Sequence, residues 1–87
     1  MLYRKNPKLE FMPSDDGGVV VFDPATENTI IIPDVGSDIL TCIDEPVDIE
    51  TLLSSLTKMY NVGKEDIRPD VDDFLAQMSQ IGVVEQI

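Results

Sequence analysis

The sequence predicts an α+β domain in which a three-stranded antiparallel sheet is followed by three helices. Three observations lead there. The first half alternates short β-branched and aromatic runs with turns of Gly, Pro, Asp and Asn. After Pro33 the apolar spacing changes from a strand pattern to a helical one. And 87 residues suit one small domain, 1–87, near the lower limit for folding without disulfides or metals.

Residues 1–7 read as a loose N-terminal arm ending at Pro7. Lys8 to Met12 suits a short strand, with Leu9 and Phe11 on one face and Pro13 as its stop. Ser14-Asp15-Asp16-Gly17-Gly18 is a turn, because Gly accepts positive φ and Asp and Ser bond locally to the backbone. Val19 to Asp23 is a β-branched and aromatic strand. Pro24 to Asn28 turns the chain again, and Thr29 to Ile32 is the third strand, stopped by Pro33. Connections this short suit an antiparallel meander.

The helical half opens at Asp34, a capping residue ahead of Val35, Ile39, Leu40 and Ile43. Asp44-Glu45-Pro46 ends that helix. Asp48 caps a second one, whose stripe is Ile49, Leu52, Leu53, Leu56, Met59 and Tyr60. Glu50 sits in its first turn, where the helix dipole favours an anion. Gly63 is the expected left-handed terminator. The third helix is expected from Ile67 or Pro69 to Gln80, with Pro69 in its first turn and Val71, Phe74, Leu75, Met78 and Ile81 as its apolar face. Gly82 stops it, and Val83 to Ile87 is a short tail with room for one more strand. The expected core comprises Leu9, Val19, Val21, Ile39, Leu53, Leu56, Val71 and Phe74.

Composition narrows the function. The net charge is −11, from 17 acidic and six basic residues, with no histidine. That removes the commonest general base and metal ligand. It also opposes nucleic acid, whose phosphates require Lys and Arg. A neutral or cationic partner suits the charge better. A single cysteine, Cys42, excludes an internal disulfide, and its apolar surroundings suit a buried structural thiol. The N-terminus has no apolar signal-like core, and no run approaches a membrane span. These features together point to the cytoplasm.

No catalytic set is visible: no Cys/His pair, Ser/His/Asp set, CxxC or phosphate loop. Asp70, Asp72 and Asp73 are too few and too divergent on a helix for a hard cation, and read as a solvated face. Asp15-Asp16-Gly17 lacks the ligand spacing of a calcium loop and reads as a turn. Three strands and three helices also suit a DNA-binding winged helix. Here, however, the third helix would present Arg68 against Asp70, Asp72 and Asp73. What remains is a protein or peptide ligand. If Thr29–Ile32 is an edge, its unpaired backbone groups can accept an extended peptide. The competing reading places the isoleucines wholly in the core, and the pattern alone leaves both open.

Taken together, "GGVVVFDPATENTIIIPDVGSDIL", "VDIETLLSSLTKMYNV" and "IRPDVDDFLAQMSQIGVV" resemble the PqqD-like family. Its members include pyrroloquinoline quinone biosynthesis protein D and the stand-alone recognition proteins of lasso-peptide clusters. Gly36, Ile39 and Leu40 match the family's first helix, and Val47, Glu50 and Leu52 or Leu53 approximate its second. Tyr60 and Val62 match the segment that follows. Asp70, Val71, Phe74, Leu75, Met78, Gly82, Val83 and Val84 match the last helix and its exit. The likeness covers about residues 9 to 87. Two positions depart from the pattern: Asp34 stands where Asn is common, and Glu45-Pro46 replaces a frequent Asp-Gly.

The resemblance implies a winged-helix-like fold, the RiPP recognition element of ribosomally synthesised, post-translationally modified peptides. It implies a binding module without catalysis, cofactor or metal. Such a module binds a precursor's leader segment and delivers it to a modifying enzyme such as a protease, cyclase or radical enzyme. The leader would add antiparallel to the third strand and lie against the third helix. Thr29, Ile30, Ile31 and Ile32 would then supply the edge and the groove floor, with Leu75, Met78 and Ser79 on the helix side. Asp72 would pair with a basic leader residue. The alternative is a general adaptor whose partner is a folded enzyme.

Overall fold

The computed structural model describes residues 1–87, the side chain of Asp34 excepted. Four strands come first: β1 (Tyr3–Lys5), β2 (Glu10–Pro13), β3 (Val19–Asp23) and β4 (Asn28–Ile32). Three helices follow, α1 (Asp34–Thr41), α2 (Ile49–Tyr60) and α3 (Lys64–Gln80), and β5 (Val84–Gln86) ends the chain. The three-stranded antiparallel sheet has the order β2-β3-β4, so β4 is an edge. The helices and this sheet form the expected α+β arrangement.

Alternation along the strands sorts the sheet's two faces. Phe11, Val21 and Ile30 are paired across it, as are Val19 and Ile32, and these residues face the helices. Met12, Val20 and Ile31 form a row on the other face, where Met12 and Ile31 are exposed. Both turns are held by local side chains. Asp16 Oδ1 accepts from Ser14 Oγ at 2.7 Å and from Gly18 N–H at 3.3 Å. Asp23 Oδ1 accepts from Ala25 N–H at 3.0 Å. Gly18 is required by close approach: a Cβ there would stand 2.4 Å from the Ile32 carbonyl oxygen.

The core lies between the sheet and the helices. Val21, Ile39, Leu53, Leu56 and Val71 are buried in it, and Leu9, Val19 and Phe74 pack against it half-buried. On α2, Leu52, Leu53 and Leu56 are all essentially inaccessible. Burying each contributes about 1.5–3 kcal/mol, and three on one stripe outweigh any propensity effect in fixing this helix.

The helix ends correct several expectations. Asp48 does cap α2, accepting from Thr51 N–H at 2.7 Å. The left-handed residue after α2 is Asn61, at φ 56°, rather than Gly63. Asn tolerates that conformation, which leaves Gly63 free to act as N-cap of α3. There its N–H donates to Asp66 Oδ2 at 3.3 Å. Consequently α3 starts at Lys64 and Pro69 lies inside it. The missing N–H leaves the Glu65 carbonyl without its helical partner, and both residues are exposed. Pro33 occupies the N-cap position of α1; a capping role for the Asp34 side chain lies outside the described residues.

The N-terminal segment is not a loose arm. β1 pairs antiparallel with β5, Tyr3 opposite Gln86 and Lys5 opposite Val84. Tyr3 also exchanges backbone hydrogen bonds with Val47 at 2.7 and 3.0 Å, so β1 lies between the C-terminal strand and the α1–α2 connection. Asn6 fixes the next turn, its Nδ2 donating to the Gly82 carbonyl at 2.8 Å. Ion pairs Arg4–Glu85 and Lys5–Asp44 flank the clasp. The physical reason is burial: Val83 and Val84 are 0% and 1% exposed and need a cover. β5 falls in the tail where one more strand had room, whereas β1 is additional to the expected elements.

Candidate functional site

The candidate site is the boundary between the free edge of β4 and the face of α3 beside it. One contact fixes how these elements meet. A Cβ at Gly36, in the first turns of α1, would stand 2.4 Å from Ile32 Cγ2 and 2.8 Å from Phe74 Cε1. The lack of a side chain at Gly36 thus lets the end of β4, α1 and the middle of α3 converge.

A depression opens on each side of this convergence. The first, about 340 Å³, is lined by Val35 and Ile39 of α1, Leu56 and Tyr60 of α2, Val62, and Ile67, Asp70 and Val71 of α3. Its walls are apolar apart from the Asp70 carboxylate and the Tyr60 hydroxyl, which donates to Asp38. The second, about 270 Å³, lies at the start of β4. It is lined by Asn28 and Ile30, by Val21 and Asp23 of β3, by Asn6 and Leu9, and by Ile81, Gly82 and Val83. Ile67 and Ile81 mark the two ends along α3, some 21 Å apart at ~1.5 Å per residue. A strand of five or six residues spans about 17–20 Å, so the separation of the two depressions is about the length of one strand.

The helix face toward β4 follows from these contacts. At about 100° per residue, Ile67, Asp70, Gln77 and Ile81 lie within ~60° of Phe74. Asp72 and Ser79 lie about 160° and 140° round the helix from Phe74. They share the side of Arg68, which donates to Glu50 of α2. Asp72 is exposed there, and Ser79 is half-buried with its Oγ enclosed. The structure therefore does not bring Asp72 or Ser79 to the β4 boundary.

Leu75 and Met78 are also corrected. They are 2% and 9% exposed and belong to the core, so neither offers an exposed groove surface. The amphipathic stripe in the sequence identified the buried face of α3, whereas a groove is lined by residues at that face's margin. On β4, Thr29 is exposed, Ile30 half-buried and Ile32 buried, while Ile31 is 67% exposed on the outer face. Val35, Ile67, Asp70 and Ile81, which line the two depressions, and Phe74, which stands between them on α3, are residues that the site reading missed. Phe74 and Ile81 were visible as stripe members. Val35 and Asp70 were legible only as a stripe member of α1 and as an acidic position of α3; the depression they share appears once the helices are packed.

Nothing in this region favours nucleophilic chemistry. Partial burial, then the charges of Asp38 and Asp44, push the Cys42 thiol up from its ordinary value, which disfavours the reactive thiolate. Among the described residues, no group of three or more Cys, Asp and Glu is gathered to hold a metal. Among the described residues, no helix is long and apolar enough to cross a membrane.

Comparison with known proteins agrees with this architecture. The family model for coenzyme PQQ synthesis protein D (PqqD) matches residues 18–84. A search of curated proteins finds no match. Among solved structures, the chain is similar to one described as TbiB1 in complex with the TbiA(beta) leader peptide, with a TM-score of 0.82 and 21% identity. The alignment covers 97% of this chain and 96% of that one.

Proposed function

Because the chain belongs to the PqqD family, we propose that it is a non-catalytic RiPP recognition element. It binds the leader segment of a ribosomal precursor peptide and presents the precursor to a modifying enzyme. The observation that carries this reading is the unpaired edge of β4, with an apolar depression beyond its C-terminal end and a mixed polar and apolar one at its start. The solved structure of similar fold holds a leader peptide, which supports the same ligand class here.

The mode of binding is strand addition. The peptide pairs antiparallel with Thr29–Ile32 through backbone groups, which read shape and not sequence. Alternate side chains then point into the groove beside Ile30, Ile32 and Phe74, and the rest lie beside Thr29 and Ile31 on the outer face. β4 runs toward α1, so an antiparallel partner has its N-terminal end at the Val35–Asp70 depression and its C-terminal end at Ile81. Specificity comes from what each depression accepts.

A second reading has one observation in its favour. Met12, Val20 and Ile31 expose an apolar row on the outer face, which suits an adaptor whose partner is a folded enzyme. Titrating the precursor leader encoded beside this chain's gene separates the two. The first reading expects saturable binding with new hydrogen-exchange protection of β4 amides. Absence of binding, or binding that leaves β4 amides unchanged, favours the adaptor.

A further inference from the structure

Resting on that reading, we propose that the depression between α1, α2 and α3 takes a long cationic side chain, arginine or lysine. The residue stands on the N-terminal side of the peptide stretch that pairs with β4.

The lining sets the chemistry. Val35, Ile39, Leu56, Val62, Ile67 and Val71 form apolar walls, and Asp70 is the one carboxylate at the rim. A side chain that fills such a site has an apolar body and a cationic tip. The methylene stem of arginine or lysine covers the walls while its head reaches Asp70 and water. A purely aliphatic side chain would cover the same walls and leave the carboxylate unused. An acidic side chain would meet repulsion.

The surrounding charges agree. Among the described residues Asp70 makes no ion pair. Arg68, the nearest basic residue along α3, is engaged with Glu50 on the helix's other side. Asp38, on the α1 side, already accepts from Tyr60. Asp66 and Asp73 lie about one turn either way from Asp70, on the exposed side of α3, and add to the negative field at the mouth. The net charge of −11 steers cations toward the molecule generally, and this depression gives one of them a fitted seat.

Direction follows from topology. Val35 comes three residues after Ile32, so the depression lies just beyond the C-terminal end of β4. The N-terminal end of an antiparallel partner emerges there. A basic residue following the paired stretch would instead emerge near Ile81 and Leu9, away from Asp70.

Two probes test this on the full chain. n-Butylguanidinium and its neutral analogue n-butylurea are titrated against methyl-labelled protein. The expected result is a saturable shift of Val35, Ile67 and Val71 methyls by the guanidinium, about three- to tenfold tighter than by the urea. Asp70→Asn, on an exposed position that spares the fold, should erase that difference. Equal shifts by both fragments, or a difference that survives Asp70→Asn, overturn the proposal and leave a purely apolar anchor.

Leader variants with arginine moved from the N-terminal to the C-terminal side of the paired stretch then test direction. Weaker binding after the move is expected, and unchanged binding counts against the assignment. The fragment experiment does not depend on strand pairing. A failed fragment test with intact leader binding removes only the cationic pocket, whereas a leader that does not bind at all removes the recognition reading itself.

Discussion

Phe74 of α3 lies against the backbone of Gly36 of α1, so closely that a Cβ at Gly36 would stand 2.8 Å from the ring. The same Cβ would stand 2.4 Å from a methyl of Ile32, which is 3% exposed. This three-way contact joins the end of β4 to α1 and α3, and it sets the first prediction. Gly36→Ala gains up to about 1 kcal/mol of helix propensity in α1. Overpacking costs about 1–3 kcal/mol, and Ile32 is β-branched and buried, so it yields poorly. Overpacking should win. The variant is expected to melt lower by several degrees and to bind leader more weakly, as Phe74 shifts into the groove. Thermal melting and titration check both.

Groove margin and core should separate cleanly on α3 and α1. Val35 and Ile81 are 62% and 52% exposed. Val35→Gln and Ile81→Gln should leave stability nearly unchanged and weaken leader binding about tenfold to a hundredfold, or 1–3 kcal/mol for a removed anchor. Leu75→Asp and Met78→Asp should instead unfold the chain. Each leaves an unpaired charge in the core, at about 3–5 kcal/mol, and forfeits a buried apolar side chain, at about 2–5 kcal/mol, together comparable to a total stability of ~5–10 kcal/mol. Circular dichroism alongside the binding assay distinguishes the two classes. Folded Leu75→Asp protein would contradict the burial of α3.

Removing residues 1–5 should destabilise the domain without touching the groove. The deletion removes the β1–β5 ladder and, beside it, two backbone hydrogen bonds between Leu2 and Ile87 and two between Tyr3 and Val47. At about 0.5–1.5 kcal/mol each, the four flanking bonds alone amount to roughly 2–6 kcal/mol, or on the order of ten degrees or more in Tm, and the ladder adds to this. The flanking pair Arg4–Glu85 is half exposed and adds little. A truncated chain that melts with the full one would return this segment to a loose arm.

Acid should weaken the α2 cap in a predictable window. Hydrogen bonds from Thr51 hold the Asp48 carboxyl below its ordinary value of 3.8. A depressed carboxylate stabilises the fold fully above its unfolded pKa and loses that contribution as pH falls through the lower folded value. Asp48→Ala should therefore melt below wild type at neutral pH, with the gap closing below about pH 3.8. Asp16, held down by Ser14 and then Gly18, retains some acid sensitivity in the variant. A gap that is constant with pH would mean that the cap does not depend on charge.

Duplex DNA should not bind at physiological salt. The net charge of −11 and the exposed carboxylates of α3 leave no surface on which phosphates gain. Salt-dependent micromolar binding in an anisotropy titration would overturn that expectation.

Much of this molecule is written locally in its sequence. The runs at Val19–Asp23 and Thr29–Ile32 determine strands, because β-branched residues favour the pleated backbone and the turns between them are too short for anything but hairpins. Asp48 and the leucines of α2 determine a capped, one-faced helix. The charge disfavours anionic partners before any fold is known. What only the tertiary structure decided is non-local. β1 and β5 are three residues each and carry no pattern of their own; they become strands because the ends of the chain meet over Val83 and Val84. The face of α3 that meets β4 was likewise hidden. A hydrophobic stripe reports which side of a helix is buried, not which flank borders a neighbour. Packing around Gly36 brings Phe74 to Ile32 at the end of β4, Ile81 borders Asn28 and Ile30 at its start, and Asp70 opens into the depression between α1, α2 and α3, while Asp72 and Ser79 lie on the side of Arg68 and its partner Glu50.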